Sequence, residues 1–291
     1  MTGPVVKIAL IQCRTPADQA AALAHVAPLV RQAAAGGAKL IATPEATNIL
    51  ERDRARLFDK LATAEDDVCV QGLIALAAEL KVWLLIGSAL VRRPDGGAAN
   101  RAMLVDPAGA VVATYDKIHM FDVDLPTGER VRESEAYTPG EAAMVADTPV
   151  GRLGLTICYD VRFAYLYRAL AKAGAQIIAV PAAFTRPTGE AHWEILLRAR
   201  AIETGAFVLA PAQGGRHEDG RGTWGRSLVI GPWGEILAQS ADDEPGVIAA
   251  EIDLGEVAKA RTAIPALKNE RAFAPPLVAG AAQGETPMGA A

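Results

Sequence analysis

The sequence predicts one α/β domain, on three observations. Short runs of β-branched and apolar residues alternate with alanine-rich runs of helical spacing through most of the chain. Hydrophobic residues make up 51% and charged residues 22%, a balance that supports a large core and excludes a disordered chain. No linker or break in composition divides the 291 residues. That length exceeds the ~150 residues of a common domain, but α/β folds run to about 250 in one unit.

Val5–Cys13 reads as the first strand. Ala17–Ala35 follows as a helix, with Pro28 placed to kink it and Gly36-Gly37 to end it. Leu40–Thr43 is a strand stopped by Pro44. In Asp66–Lys81, Val68, Leu73, Leu76, Ala77 and Leu80 fall at helical spacing, and the strand Val82–Ser88 follows directly. Two strands flank the turn Asp106-Pro-Ala-Gly109, whose proline and glycine dictate it. Lys117–Glu141, rich in charge, proline and glycine, reads as a long irregular loop of the kind that often carries function. The rhythm resumes with strand Leu153–Cys158, helix Phe163–Ala173, strand Gln176–Pro181, helix Ala191–Thr204 and strand Phe207–Ala212. A second turn, Gly231-Pro-Trp-Gly234, joins another strand pair, and Val247–Ile252 closes the sheet. Leu104–Ala113 and Val229–Ala238 echo one another as strand, Pro-x-Gly turn and strand, which fits either an internal duplication or a chance likeness of hairpins. In this reading residues 1–273 form the domain and 274–291 a flexible C-terminal tail.

Twenty-nine basic against 34 acidic residues leave a net charge of −5, the opposite of the basic face that nucleic acid requires. Val5–Cys13 lacks the cleavage pattern of a signal peptide, and no apolar stretch reaches about 18 residues. A cytoplasmic protein with no membrane partner is expected. Cys13, Cys69 and Cys158 are odd in number and far apart, which argues against a disulfide framework or a structural zinc.

Ligands of open α/β sheets sit beyond the carboxyl ends of strands. That rule narrows the reactive residues to Glu45, Lys117, Cys158 and Asp160. A lone cysteine on an apolar strand is usually packing. Position raises Cys158 above that, because backbone dipoles at a helix start favour thiolate. Cys13 has no acid or base motif beside it, and Cys69 lies inside an amphipathic helix. A strand-end glutamate in an apolar setting gains a raised pKa and can shuttle protons near neutrality. Taken alone, Lys117 reads as a solvated lysine and Glu133 as part of the wet acidic loop Glu129–Glu135. The segment His192-Trp-Glu-Ile-Leu-Leu-Arg198 lacks the second histidine of H-E-x-x-H, so no metal is expected. Gly214-Gly215 and Gly220–Gly225 lack the strand-to-helix setting of a phosphate cradle, and no cofactor is expected either.

Three separated segments then add up. Thr43-Pro-Glu45, Tyr115-Asp-Lys-Ile-His-Met-Phe-Asp122 and Leu155-Thr-Ile-Cys-Tyr-Asp-Val-Arg-Phe163 resemble, in order and at compatible spacing, the signature segments of the nitrilase (carbon–nitrogen hydrolase) superfamily. The likeness runs from Val5 to Phe273. Gly189–Glu203 and Gln213-Gly-Gly-Arg-His217 are most similar to the Nit branch. The resemblance implies an αββα sandwich of two stacked mixed sheets flanked by helices, four layers per subunit, in a homodimer or higher homo-oligomer. It also implies a catalytic triad of Glu45 (general base and acid), Lys117 (oxyanion stabiliser) and Cys158 (nucleophile), with Glu133 positioning lysine and substrate. The backbone N–H of Tyr159 would add a second oxyanion contact.

The implied activity is hydrolysis of a small-molecule amide through a cysteine thioester. Within the Nit branch that points to deaminated glutathione, giving α-ketoglutarate and cysteinylglycine. An ω-amidase acting on α-ketoglutaramate-like amides, an N-carbamoyl amide hydrolase and a nitrilase are the alternatives, and a silent member of the fold is the contrasting reading. A carboxylate-bearing substrate needs a cation. Arg162, four residues after Cys158, matches a carboxylate bidentately, and Arg216, His217 and Arg226 offer further positive groups. Two departures bear on the leaving group rather than the reaction class. Ala164-Tyr165 stand where many relatives read Pro-Glu, and Trp224-Gly-Arg-Ser227 replaces Tyr-Gly-His-Ser.

Overall fold

Ile8 and Leu10 belong to one core and Ala9 and Ile11 to another, so the first strand is buried on both faces. Strands covered on both sides read as continuous apolar runs rather than alternating ones. A computed structural model describes residues 3–124, 128 and 130–277. Of the expected tail, only 274–277 lie within the described residues, and they are exposed.

In the first half the chain forms β1 (Val5–Gln12), α1 (Gln19–Ala35), β2 (Leu40–Ala42), α2 (Arg54–Lys60), α3 (Val68–Leu80), β3 (Trp83–Arg92), β4 (Ala98–Val105) and β5 (Val111–Asp116). Short strands β6 (Asp122–Asp124) and β7 (Arg130–Arg132) follow, and β8 (Met144–Ala146) leads into the second half. There β9 (Leu153–Leu155), α4 (Ala164–Lys172), β10 (Ile177–Ala179), α5 (Arg186–Thr204) and β11 (Phe207–Ala210) repeat the pattern. The chain then adds β12 (Gly214–Arg216), β13 (Gly222–Trp224), β14 (Leu228–Ile230), β15 (Ile236–Gln239), β16 (Gly246–Asp253) and α6 (Gly255–Ala263).

Two six-stranded mixed sheets result, ordered β16-β1-β2-β3-β4-β5 and β15-β14-β11-β10-β9-β8. They share one topology. Three parallel strands, β1-β2-β3 or β9-β10-β11, continue into an antiparallel pair, β4-β5 or β14-β15. An antiparallel strand, β16 or β8, closes the other end. The two hairpins that echo in sequence therefore occupy equivalent places in the two sheets.

One core cluster joins the facing sheets through Leu10, Leu40, Leu104, Leu153, Ile177 and Val208, and extends to Leu166 of α4 and Trp193 of α5. The other packs Ile11, Ile41 and Ile86 against Val26 of α1 and Leu73 of α3. This is the four-layer sandwich that the resemblance implies. No helix among the described residues is long and apolar enough to cross a membrane.

Most expected elements form, with ends set by caps. Asp18 and Asp67 accept backbone N–H groups at the starts of α1 and α3, and Lys81 ends α3 in the left-handed conformation. Helix α5 begins five residues before its expected start. Pro187 sits in its first turn, where no backbone donor is needed. Gly189 is required there because a Cβ would come within 2.3 Å of the Trp224 side chain. The expected irregular loop contains the β6–β7 hairpin and a 3₁₀ turn, Glu133–Glu135.

The strand expected to end at Cys158 stops at Leu155. Asp160 accepts the Ile157 N–H at 2.8 Å, and Cys158 donates its own N–H to Pro181 O at 2.8 Å. Those bonds divert the backbone from the ladder into a 3₁₀ turn, Cys158–Arg162.

Candidate active site

Glu45, Lys117 and Cys158 arrive from three connections beyond strand ends, and the sandwich brings them together. Glu45 lies just past β2, and Ala46 after it has a φ of 54°. Lys117 follows β5 directly. Cys158 opens its 3₁₀ turn with a φ of 48°, a conformation uncommon outside glycine. Strand β3 passes so close that a Cβ on Gly87 would lie 1.9 Å from Thr43 O and 2.5 Å from the Pro181 Cβ.

Each carboxylate oxygen of Glu45 is used. Oε1 accepts from Lys117 Nζ at 3.0 Å and from Asn100 Nδ2 at 2.8 Å. Oε2 accepts from the Ala183 N–H at 2.8 Å, and the Cys158 thiol lies near enough to the same carboxylate to interact with it. Lys117 Nζ also donates to both oxygens of Glu133, at 2.9 and 2.8 Å. Glu133 is held in turn by the Phe121 N–H at 2.6 Å. Lys117 is 2% exposed, so this is a buried arrangement of two carboxylates and one ammonium.

The electrostatics correct two expectations. Burial raises the Glu45 carboxyl, but Lys117 and the hydrogen bonds from Cys158, Lys117 and Asn100 outweigh it and leave the group below the ordinary glutamate range. The anticipated raised glutamate is not found. Burial and then the Glu45 charge push the Cys158 thiol well above its usual value, with Lys117 only partly opposing them. The turn's dipoles do not make a resting thiolate. Burial also works against the Lys117 charge, yet Glu133 and Glu45 hold its ammonium well above the ordinary lysine range. At neutral pH Cys158, Glu45 and Lys117 are therefore a thiol, a carboxylate and an ammonium, with the proton still on sulfur.

These groups face a cavity of about 560 Å³ whose lining includes Tyr159, Phe184, Tyr137 and Arg221. Two expected substrate contacts lie elsewhere. Arg162 is not in the lining; its guanidinium carbon sits 5.8 Å from the Tyr159 ring centroid and 5.6 Å from that of Phe184. His217 is buried away from the cavity, with Nε2 2.7 Å from Thr223 Oγ1. Burial, only partly offset by Thr15, lowers its pKa to about 4 and leaves it neutral. Tyr165 also avoids the cavity: exposed, it hydrogen-bonds His119 Nε2, while His119 Nδ1 lies 2.7 Å from Asp160 Oδ1.

Asn100, Tyr137 and Arg221 escaped the sequence reading. Only Asn100 left a signal, as a lone amide in the apolar run of β4.

The chain is similar to known proteins along most of its length. The model of the carbon-nitrogen hydrolase family matches residues 7–262. A deaminated glutathione amidase of Yersinia enterocolitica is 41% identical, with 91% of this chain and 92% of that protein covered. An omega-amidase of Homo sapiens is 34% identical, with 91% and 95% covered. Among solved structures, the Caenorhabditis elegans NitFhit protein superposes with a TM-score of 0.87 at 35% identity, covering 93% of this chain and 66% of that one. A mutant amidase from Nesterenkonia sp. AN1 superposes with a TM-score of 0.75 at 27% identity, covering 91% and 94%. Its active-site cysteine carries the acetamide moiety of fluoroacetamide covalently. On its sequence and its fold alike, the chain belongs to the carbon–nitrogen hydrolase family, in the Nit branch of the nitrilase superfamily.

Proposed function

We propose that the chain is a cysteine amidase that hydrolyses deaminated glutathione to α-ketoglutarate and cysteinylglycine. The observation that carries this reading is one carboxylate, Glu45, paired with the Lys117 ammonium and interacting with the Cys158 thiol on the wall of a cavity. Amide carbonyls are poor electrophiles, so covalent catalysis divides the reaction into two acyl transfers. As Cys158 Sγ attacks the carbonyl carbon, its proton passes to Glu45, and the new oxyanion takes its stabilisation from Lys117 and the Tyr159 N–H. Collapse breaks the C–N bond, and the departing amine takes the proton from Glu45. Glu45 then accepts a proton from water, whose oxygen adds to the thioester. Collapse of that second adduct releases the acid and returns the proton to sulfur. Glu133 keeps Lys117 aimed and charged throughout.

The net charge of the cluster stays at minus one through each attack, because the oxyanion forms as Glu45 is neutralised. No step asks the buried site to gain a charge, which would be costly. Deaminated glutathione is favoured by the 41% identical relative of that name. The test offers purified protein the dipeptide-bearing amide and the free primary amide, α-ketoglutaramate. The former is expected to give the higher kcat/KM by at least about tenfold, and a preference for the latter would make the protein an ω-amidase.

The same proposal includes a homodimer. Ile195, Ile202, Trp233 and Ile264 are large, apolar and more than half exposed, beside a hollow of about 590 Å³ formed between α5, α6 and the β14–β15 turn. Such a face on a single chain marks an interface. Sedimentation velocity should give a dimer that Ile202→Glu with Trp233→Glu converts to monomer; a monomeric parent would refute it. The three free, buried cysteines suit a reducing cytoplasm.

A further inference from the structure

We propose that Arg221, with Tyr137, recognises a carboxylate on the acyl half of the substrate. The inference rests on the amidase reading for the position of the scissile carbonyl at Cys158. Both residues line the catalytic cavity and neither belongs to the Glu45, Lys117 and Cys158 cluster. Arg221 stands where the β12–β13 hairpin turns back. Its backbone N–H bonds Asp219 Oδ1 at 2.9 Å, and its carbonyl accepts from the His217 N–H at 2.8 Å. The hairpin fixes the base of the side chain.

The guanidinium itself is only loosely engaged. Its contact with Asp219 Oδ2 spans 3.4 Å, and that oxygen is left without a hydrogen bond. Five donors in a planar fork thus remain for a ligand. Tyr137 is anchored through its backbone, whose N–H bonds Glu133 O at 3.0 Å. No group among the described residues hydrogen-bonds its hydroxyl. Glu133, Arg221, Lys117 and Glu45 all act on that phenol electrostatically, so it lies within reach of the arginine and of the catalytic charges.

Exposure is the ground for placing the carboxylate on the acyl half. The Arg221 side chain is 30% exposed, whereas Arg54 and Arg130 are exposed at the rim. Arg132, also in the lining, commits its guanidinium to Asp124 at 2.8 and 2.7 Å. A leaving amine must pass outward through the opening while the acyl group stays bound to Cys158. A cation set back from the exposed rim, with its guanidinium not committed to a close carboxylate pair, is assigned to the part that stays. The cluster beside it carries net negative charge, so an acyl carboxylate would be repelled without a compensating cation. Arginine answers that charge bidentately, and a phenol adds a neutral donor.

The experiment compares two primary amides with the same leaving group: glutaramate, whose acyl chain ends in a carboxylate, and valeramide, its uncharged counterpart. Arg221→Gln is expected to raise KM for glutaramate by about 10–100-fold, the range of a charge-assisted hydrogen bond. Valeramide kinetics should stay within about twofold, and Arg221→Lys should recover part of the loss. Tyr137→Phe should shift KM in the same sense but less. Binding of glutarate by calorimetry, weakened in Arg221→Gln relative to the parent, tests the anchor without turnover. Equal losses on both amides would overturn the proposal in favour of a structural role. Unchanged glutaramate kinetics with weakened turnover of dipeptide-bearing amides would move Arg221 to the leaving-group side. If the parent binds glutarate through Arg221 but acylates Cys158 with no amide, the amidase reading fails while the anchor stands.

Discussion

Cys158→Ala is expected to lower kcat on any amide by at least about 10⁴-fold while product binding persists. Glu45→Gln should fall nearly as far. A glutamine keeps the acceptor for Lys117 but cannot take the thiol proton, and the thiol lies too high to ionise unaided. Because the two act on one proton, the double variant should be scarcely worse than either single one. A further thousandfold loss in the double variant would mean that they do not work as a unit. The pH profile carries the same logic. Glu45 is held below the ordinary range, so the acid limb of kcat/KM should fall below the ~4.3 of a free glutamate. An acid limb near 6 would instead indicate a glutamate governed by burial alone.

Lys117→Met is expected to harm both chemistry and folding. Losing the ammonium removes one oxyanion donor, an effect of about 10²–10³ in kcat. It also leaves Glu45 and Glu133, about nine-tenths buried, without their shared counter-charge. Breaking a buried pair from one side costs about 3–5 kcal/mol. The sign of the pH effect should invert. In the parent, the lowered Glu45 contributes stability above its unfolded pKa, and this is lost as pH falls through the folded one. Without Lys117 burial is left as the largest influence on Glu45 and its carboxyl titrates above its unfolded value, so its contribution to stability is full at low pH and is lost as pH rises through the raised pKa. Urea midpoints at pH 5 and pH 8 read this directly: the variant should lose more at pH 8. Adding Glu133→Gln should restore part of the loss by removing one stranded charge. Equal destabilisation at both pH values would show that packing, not charge, is the main role of Lys117.

How much of this was legible depended on whether a residue's role is local. The apolar run of β1 and the helical spacing around Leu73 and Leu76 encode burial within a few residues, and the elements formed where expected. Glu45, Lys117 and Cys158 drew notice because each leaves a strand end and lies in a segment that resembles the family, and the structure brings the three side chains together. Their ionisation was misread, because the sequence displays a strand-to-helix junction and hides the mutual distances that decide it. Arg162 and His217 were chosen for charge and proximity along the chain, whereas side-chain direction sends one behind Tyr159 and Phe184 and buries the other. Arg221 and Tyr137 were overlooked for the reverse reason: each sits on a short inserted segment that reaches the cavity only once both sheets are stacked. The repeat of the two sheets supplies the strand ends that carry Glu45, Lys117 and Cys158. The β12–β13 hairpin, which has no counterpart after β3, supplies Arg221.

Strand β16, from the far end of the chain, completes the first sheet by pairing with β1 over eight residues, Val5 with Asp253 through Gln12 with Gly246. During synthesis, then, β1 emerges before the other strands of this sheet and waits for the last of them to gain its outer neighbour. Until β16 emerges, β1 offers a row of unpaired N–H and C=O groups along an apolar segment, the configuration most open to pairing with another chain. Closure of so long a loop is slow, because its entropy is lost before any contact repays it. The interval between making β1 and making β16 is thus the period in which a nascent chain of this protein depends most on being shielded.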